Sequence, residues 1–230
     1  MNLSRSIKKR IFKLKSKLIK QDSNVWCFIP YGDDFTGNIK AVFEYSVLLK
    51  VKIIILTSST SFEKYKGHAI IINDVSSIYY FKSSIIICDQ MLSTYHFFSV
   101  TGFIPKKIIN VWHGIPMKKM LLSSIKPISP FIQNEKDMFH IIASSELDAK
   151  AMEKSFGVSP ENIYITGLPR IDYLSCLSNS MKNEEFKLNK LTNGKKLILF
   201  APTWRDDSDD YYEFTQHDLN SLSDFLDKNH

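Results

Sequence analysis

Between Gln21 and Ile171 short apolar runs alternate with longer stretches of mixed polarity. Val25–Ile29, Lys52–Leu56, Ala69–Ile72, Ile85–Cys88, Lys107–Trp112, Phe139–Ala143 and Ile163–Thr166 are strand-sized and rich in β-branched residues. Ile39–Lys50 and Ser145–Phe156 have the length and spacing of helices. Ser144 or Ser145 stands where the second of these needs a cap, and Gly157 where it ends in a left-handed turn. Runs that are apolar throughout belong to strands buried on both faces, and helix-length spacers between them imply parallel pairing through right-handed crossovers. The pattern predicts an α/β, Rossmann-like domain over residues 22–172.

The texture then changes. Residues 173–194 are rich in Ser, Asn, Lys and Glu and predict a partly helical linker. Lys196–Ala201 reads as a buried strand opening a second α/β domain over residues 195–230. Residues 202–230 follow it, fewer than the roughly 50 that a domain needs. The expectation is one complete Rossmann-like domain with a parallel sheet and the start of a second, truncated one.

Composition narrows the class. Hydrophobic residues make up 44% and charged residues 23%, which suits a globular chain and argues against disorder. No apolar run approaches the roughly 18 residues of a membrane span. Cys27, Cys88 and Cys176 lie far apart with no C-x-x-C pair, so neither a disulfide framework nor a zinc site is expected. The formal charge of +6 is concentrated at one end. Arg5, Lys8, Lys9, Arg10, Lys13, Lys15, Lys17 and Lys20 occur with no acid in the first 20 residues, and without these eight charges the remainder carries −2. Ile7, Ile11, Leu14 and Leu18 recur among them at helical spacing. A basic amphipathic helix over residues 1–21 suits an anionic membrane surface, while a solvated helix packed on the domain, or a nucleic-acid arm, is the alternative use of such a pattern. The stripe favours the membrane surface, and no nucleic-acid partner is expected.

In open α/β sheets ligands bind beyond the carboxyl ends of the strands. Three such places carry candidate chemistry. In Trp112-His113-Gly114-Ile115-Pro116-Met117-Lys118 a strand runs into a histidine able to take a proton from an attacking hydroxyl. Gly114 permits close approach, Pro116 suits the first turn of a new helix, and Lys118 adds a cation. In Thr166-Gly167-Leu168-Pro169-Arg170-Ile171-Asp172 a turn presents Arg170 for bidentate phosphate contact, with Asp172 placed to orient it or to cap a helix. In Ala201-Pro202-Thr203-Trp204-Arg205-Asp206-Asp207, Thr203 and Arg205 could hold a phosphate. The carboxylates Asp206, Asp207, Asp209 and Asp210 raise a divalent metal, but a solvated acidic loop explains Asp209 and Asp210 and no metal site is expected. A histidine hydrogen-bonded in a turn and a structural Arg–Asp pair are the plain alternatives for the first two places. The loop Gly32–Asn38 follows the first strand and is in position to touch an acceptor, but it is neither G-x-G-x-x-G nor a Walker A loop.

Taken together and in this order, Trp-His-Gly-x-Pro-x-Lys, Gly-x-Pro-Arg-x-Asp and Ala-Pro-Thr-Trp-Arg resemble the CDP-glycerol glycerophosphotransferase family of teichoic-acid and capsule-polymer enzymes, over residues 24–210. Ile115 stands where the family often has Thr, Met117 where it often has Leu, and Ile171 where it often has Asn. The resemblance implies a GT-B-like fold and transfer of glycerol phosphate from CDP-glycerol to a hydroxyl of a growing polymer or lipid-linked acceptor, releasing CMP, with no further cofactor. It implies His113 as general base and a peripheral place on the cytoplasmic membrane face, and the strand-end reading adds substrate or phosphate contacts at Gly114, Lys118, Gly167, Arg170, Asp172, Thr203 and Arg205. It also places most of the nucleotide site beyond His230, so little turnover is expected of this chain alone. A non-catalytic membrane-surface module that binds the acceptor is the alternative.

Overall fold

The computed structural model describes residues 5–91, 107–117, 119–123, 139–175, 179–193, 195, 198–201 and 212–228. The chain divides into two compact units, residues 1–181 and 182–230.

The first unit is built on a parallel sheet of seven strands: β1 Asp22–Ile29, β2 Lys52–Leu56, β3 Ala69–Ile72, β4 Ser83–Cys88, β5 Lys107–Asn110, β6 Phe139–Ala143 and β7 Ile163–Ile165. Their spatial order is β3-β2-β1-β4-β5-β6-β7. The order reverses between β1 and β4, so the crevice of a doubly wound sheet opens there. The Rossmann-like expectation holds. The register is continuous across the centre, where Phe28 of β1 faces Ile55 on one side and Ile87 on the other.

Side chains alternate between two cores. Val25, Cys27 and Ile29 point to the face that holds Phe139, Ile141, Met152 and Phe156. Phe28, Ile53, Ile55 and Ile87 point to the other, where α2 (Gly37–Leu48) lays Ile39 and Phe43 against them. Burial on both faces is why these strands read as unbroken apolar runs. On the first face, α4 (Glu146–Phe156) is capped by Ser145, whose Oγ accepts from the Asp148 amide at 3.2 Å. It ends at Gly157, φ +65, where a Cβ would also meet Leu122 at 2.4 Å.

The basic N-terminal segment forms α1, Arg5–Leu18. Phe12 and Ile19 turn inward, and the Phe12 ring sits 5.0 Å from Phe81 of the short helix α3 (Ile78–Lys82). Ile7, Ile11, Leu14 and Leu18 occupy a different face and stay exposed. The helix is therefore packed on the domain and still shows an unpaired apolar stripe.

In the second unit, residues 198–201, part of the run read as a strand, have no strand pairing, and Ile198, Leu199 and Phe200 are exposed. A strand persists only when a neighbour satisfies its backbone, and no sheet partner lies in this unit among the described residues. Phe200 instead meets Phe214 edge-on at 4.9 Å. The unit also holds most of α6 (Asn179–Thr192) and α7 (Gln216–Lys228). Thr215 and Asp218 cap α7 reciprocally, with Oδ2 of Asp218 2.9 Å from the Thr215 amide.

Candidate active site

Segments after β1, β4, β5 and β7 meet at the carboxyl edge of the sheet. β5 stops at Asn110, two residues short of the predicted end, because the chain turns sharply: Trp112 has φ +44. That left-handed backbone is rare for a bulky residue. It is held from within, since Asn110 Oδ1 accepts from the Trp112 amide at 2.9 Å. Trp112 is buried edge-on against Phe156 at 4.8 Å, and the His113 ring stacks over it at 4.1 Å. His113 itself is exposed at the crevice.

The side-chain contacts of His113 are made at Nδ1. Nδ1 lies 3.4 Å from the carbonyl of Asp89 and 3.3 Å from the Gln90 side-chain amide. A carbonyl only accepts, whereas a terminal amide can turn either its oxygen or its nitrogen to the ring. With Nδ1 protonated the ring donates to the Asp89 carbonyl and Nε2 keeps its lone pair.

Arg170 joins His113. After β7 the chain turns at Gly167, φ +80, whose N–H returns to the Ala143 carbonyl at 3.1 Å. Gly167 thus shapes the turn, and its amide is already engaged. Pro169–Ile171 form a 3-10 turn packed against α2. From there Arg170 Nη1 donates to the His113 carbonyl at 3.0 Å. Gly114 gives the guanidinium room: a Cβ there would stand 3.7 Å from Nη2.

Asp172 goes elsewhere. It begins the one-turn helix α5, Asp172–Ser175, and lines a hollow of about 600 Å³ with Glu44, Tyr45, Leu48, Gly167 and Tyr173. The Tyr173 hydroxyl donates to Glu44 Oε2 at 2.8 Å, and burial together with that carboxylate pushes its pKa up. No ion pair links Asp172 to Arg170.

The helix expected at Pro116 does not form. Residues 115–117 and 119–120 are irregular, and Leu121–Ser123 make a 3-10 turn. A helix starting at Pro116 would take Ile115 as its cap, and Ile has no oxygen to accept the free amides. Among the described residues no helix N-terminus therefore faces the site here. Lys118, Thr203, Arg205 and the carboxylates Asp206, Asp207, Asp209 and Asp210 lie outside the described residues. The loop Gly32–Asn38 is fastened by its acid: Asp34 takes the Tyr65 hydroxyl at 2.6 Å and the Lys64 ammonium at 2.5 Å. Burial works against the charge on Asp34, but these bonds outweigh it and hold its carboxyl below the usual range.

Three side-chain amides near the site lie outside the three motifs, although Asn38 closes the loop Gly32–Asn38. Gln90 touches the His113 ring. Asn110 holds Trp112 and also donates to the Gln90 carbonyl at 3.2 Å. Asn38 bridges the β5 and β7 segments. Gln90 and Asn110 each end an apolar run, a weak signal at best.

Comparison with known proteins agrees with this picture. The family model for CDP-glycerol:poly(glycerophosphate) glycerophosphotransferase matches residues 10–230. A teichoic acid glycerol-phosphate transferase of Staphylococcus aureus (strain NCTC 8325 / PS 47) is 32% identical over 136 residues, covering 52% of this chain and 35% of that protein. The teichoic acid ribitol-phosphate polymerase TarK of the same strain is 33% identical over 131 residues, covering 54% and 26%. A solved structure of the wall teichoic acid polymerase TagF superposes with a TM-score of 0.70 at 19% identity, over 97% of this chain and 58% of that one. A TagF variant soaked with CDPG gives 0.66 at 18% identity, over 97% and 58%. At these identities the structural likeness establishes the GT-B-like fold. The chain spans about a third or less of the two curated relatives.

Proposed function

Since the chain belongs to the CDP-glycerol:poly(glycerophosphate) glycerophosphotransferase family, we propose that it serves polyol-phosphate transfer, with CDP-glycerol as donor and a hydroxyl of a teichoic-acid-like or capsular polymer as acceptor. The acceptor oxygen attacks the phosphorus that bears glycerol. The bridging bond to CMP breaks, the electron pair leaves with CMP, and the acceptor proton passes to His113 Nε2. Phosphoryl transfer asks mainly for alignment and charge neutralisation, and Arg170 supplies a fixed guanidinium beside the base. Lys118, Thr203 and Arg205 are assigned further phosphate contacts by their motifs.

The observation that carries this reading is the join between His113 and Arg170, 57 residues apart in sequence and in direct hydrogen-bond contact. The exposed stripe of α1 among its cations supports a peripheral place on the cytoplasmic face of the membrane, where a lipid-linked acceptor would be found. The test is CMP release from CDP-glycerol in the presence of a glycerol-phosphate acceptor, for the chain and for His113→Ala. Little turnover is expected of this chain alone, and from that low rate the expected further loss on substitution is about 10²–10⁴-fold, the usual worth of a general base. Equal release by both proteins would overturn the role of His113. No release from either, with acceptor still bound, would favour the binding-module reading.

A further inference from the structure

Asn38 is 1% exposed, and the transfer chemistry does not use it. It lies in the first turn of α2, yet its side chain serves neither that helix nor its cap. Nδ2 donates to the Val111 carbonyl at 2.8 Å and to the Trp112 carbonyl at 3.0 Å, while Oδ1 accepts from the Arg170 amide at 3.3 Å. Both partners of Nδ2 can only accept and the partner of Oδ1 can only donate, so the amide has one orientation. The contacts span 73, 74 and 132 residues of sequence.

Their placement is informative. The Trp112 carbonyl belongs to the peptide that leads into His113. The Arg170 amide belongs to the residue whose guanidinium reaches the His113 carbonyl. Trp112, between them, holds a left-handed backbone, φ +44. Its N–H is held by Asn110 and its carbonyl by Asn38, and both of these side chains are fully buried. Without the second hold, the peptide before His113 is free to rotate toward ordinary backbone angles. That would carry the ring off the Asp89 carbonyl.

We propose that Asn38 is a positioning residue of this site, clamping the strained Trp112 peptide and the Arg170 backbone together so that His113 Nε2 and the Arg170 guanidinium address the same anionic ligand. The identity of that ligand rests on the polyol-phosphate reading; the clamp is a property of the free protein. Asn38→Asp keeps the shape but replaces both donors with an acceptor facing two carbonyls, so it should fail as Asn38→Ala does.

The test uses the full chain with nitrogen-15 in its histidines, in mildly alkaline buffer. The unmodified chain should show the tautomer protonated at Nδ1. Asn38→Ala and Asn38→Asp should shift the His113 signals toward mixed tautomers and weaken binding of glycerol 3-phosphate about tenfold, a change of about 1.4 kcal/mol. Ser46→Ala removes a different buried bond of α2, from Oγ to the Val42 carbonyl, and should move neither reading. If the Asn38 variants lose thermal stability while the His113 signals and phosphate binding stay as they were, Asn38 is only a structural bond. Should those variants not fold, hydrogen exchange in the unmodified chain decides. Arg170 N–H exchanging as slowly as the amides of β1 supports the clamp, and free exchange overturns it. Failure of CMP release alongside an intact His113 signature would count against the transferase reading alone.

Discussion

Gly114 separates two reasons for a glycine beside the crevice histidine, His113. Its backbone is not in the left-handed region, so no conformational demand singles it out. What it supplies is space, because its missing side chain lies 3.7 Å from Arg170 Nη2, an ordinary contact distance. Gly114→Ala is therefore expected to keep glycerol 3-phosphate affinity within about twofold. Gly114→Leu would push the guanidinium off the His113 carbonyl and weaken binding about tenfold or more. Calorimetry on both variants checks the contrast, and equal losses would mean that the backbone matters after all. The histidine, the glycine and the arginine were legible because each follows an apolar strand run at the chemical end of a parallel sheet. Asn38, Gln90 and Asn110 were not, since their partners are set by tertiary folding and local sequence carries no mark of a bond 73 or 132 residues away.

Elements show the same division. The central strands were readable because burial on both faces makes their middle residues an unbroken apolar run. The helix at Pro116 failed for want of a capping oxygen at Ile115, and the strand at Lys196–Ala201 for want of a partner over its described residues. In α1 the outward stripe was legible and the docking face was not, because one Phe among lysines carries no periodicity. The two faces predict opposite behaviour. Phe12, 5% exposed against Phe81 and Tyr80, should cost about 3 kcal/mol or more of stability as Phe12→Ala. Ile11→Asp with Leu14→Asp should leave stability nearly unchanged and reduce binding to anionic vesicles. Denaturant unfolding and vesicle sedimentation measure both.

At the far side of the sheet, His140 of β6 faces Tyr164 of β7, with Nδ1 3.2 Å from the hydroxyl. Lys107 of β5 lies over the Tyr164 ring. Burial, then the Lys107 charge, lower the His140 pKa below 6.5. The fold thus favours the neutral ring, and the unfolded chain binds the extra proton first on acidification. His140 therefore contributes stability that is present above pH 6.5 and lost as pH falls through its lower folded value. His140→Phe should flatten the dependence of Tm on pH between neutrality and that value; an unchanged slope would mean that another group is responsible.

At the scale of the whole molecule, the first unit brings an imidazole and a guanidinium to the switch edge of a seven-stranded sheet. The strand order explains why segments after β1 and β4 can share a site with those after β5 and β7. The return of the chain from β7 to α2 is what carries Arg170 inward from the sheet's edge. That return was invisible in the sequence, which places Arg170 only after the last strand of the domain. It also makes His113 and Arg170 a single site rather than two independent ones.

The most direct measurement of that unity is a titration of the full chain with glycerol 3-phosphate while the His113 ring and Arg170 side-chain signals are followed by NMR. Both sets should move along one binding curve, and Arg170→Ala should weaken the His113 response. Signals that move on separate curves, or a His113 response indifferent to Arg170, would contradict a shared anionic site.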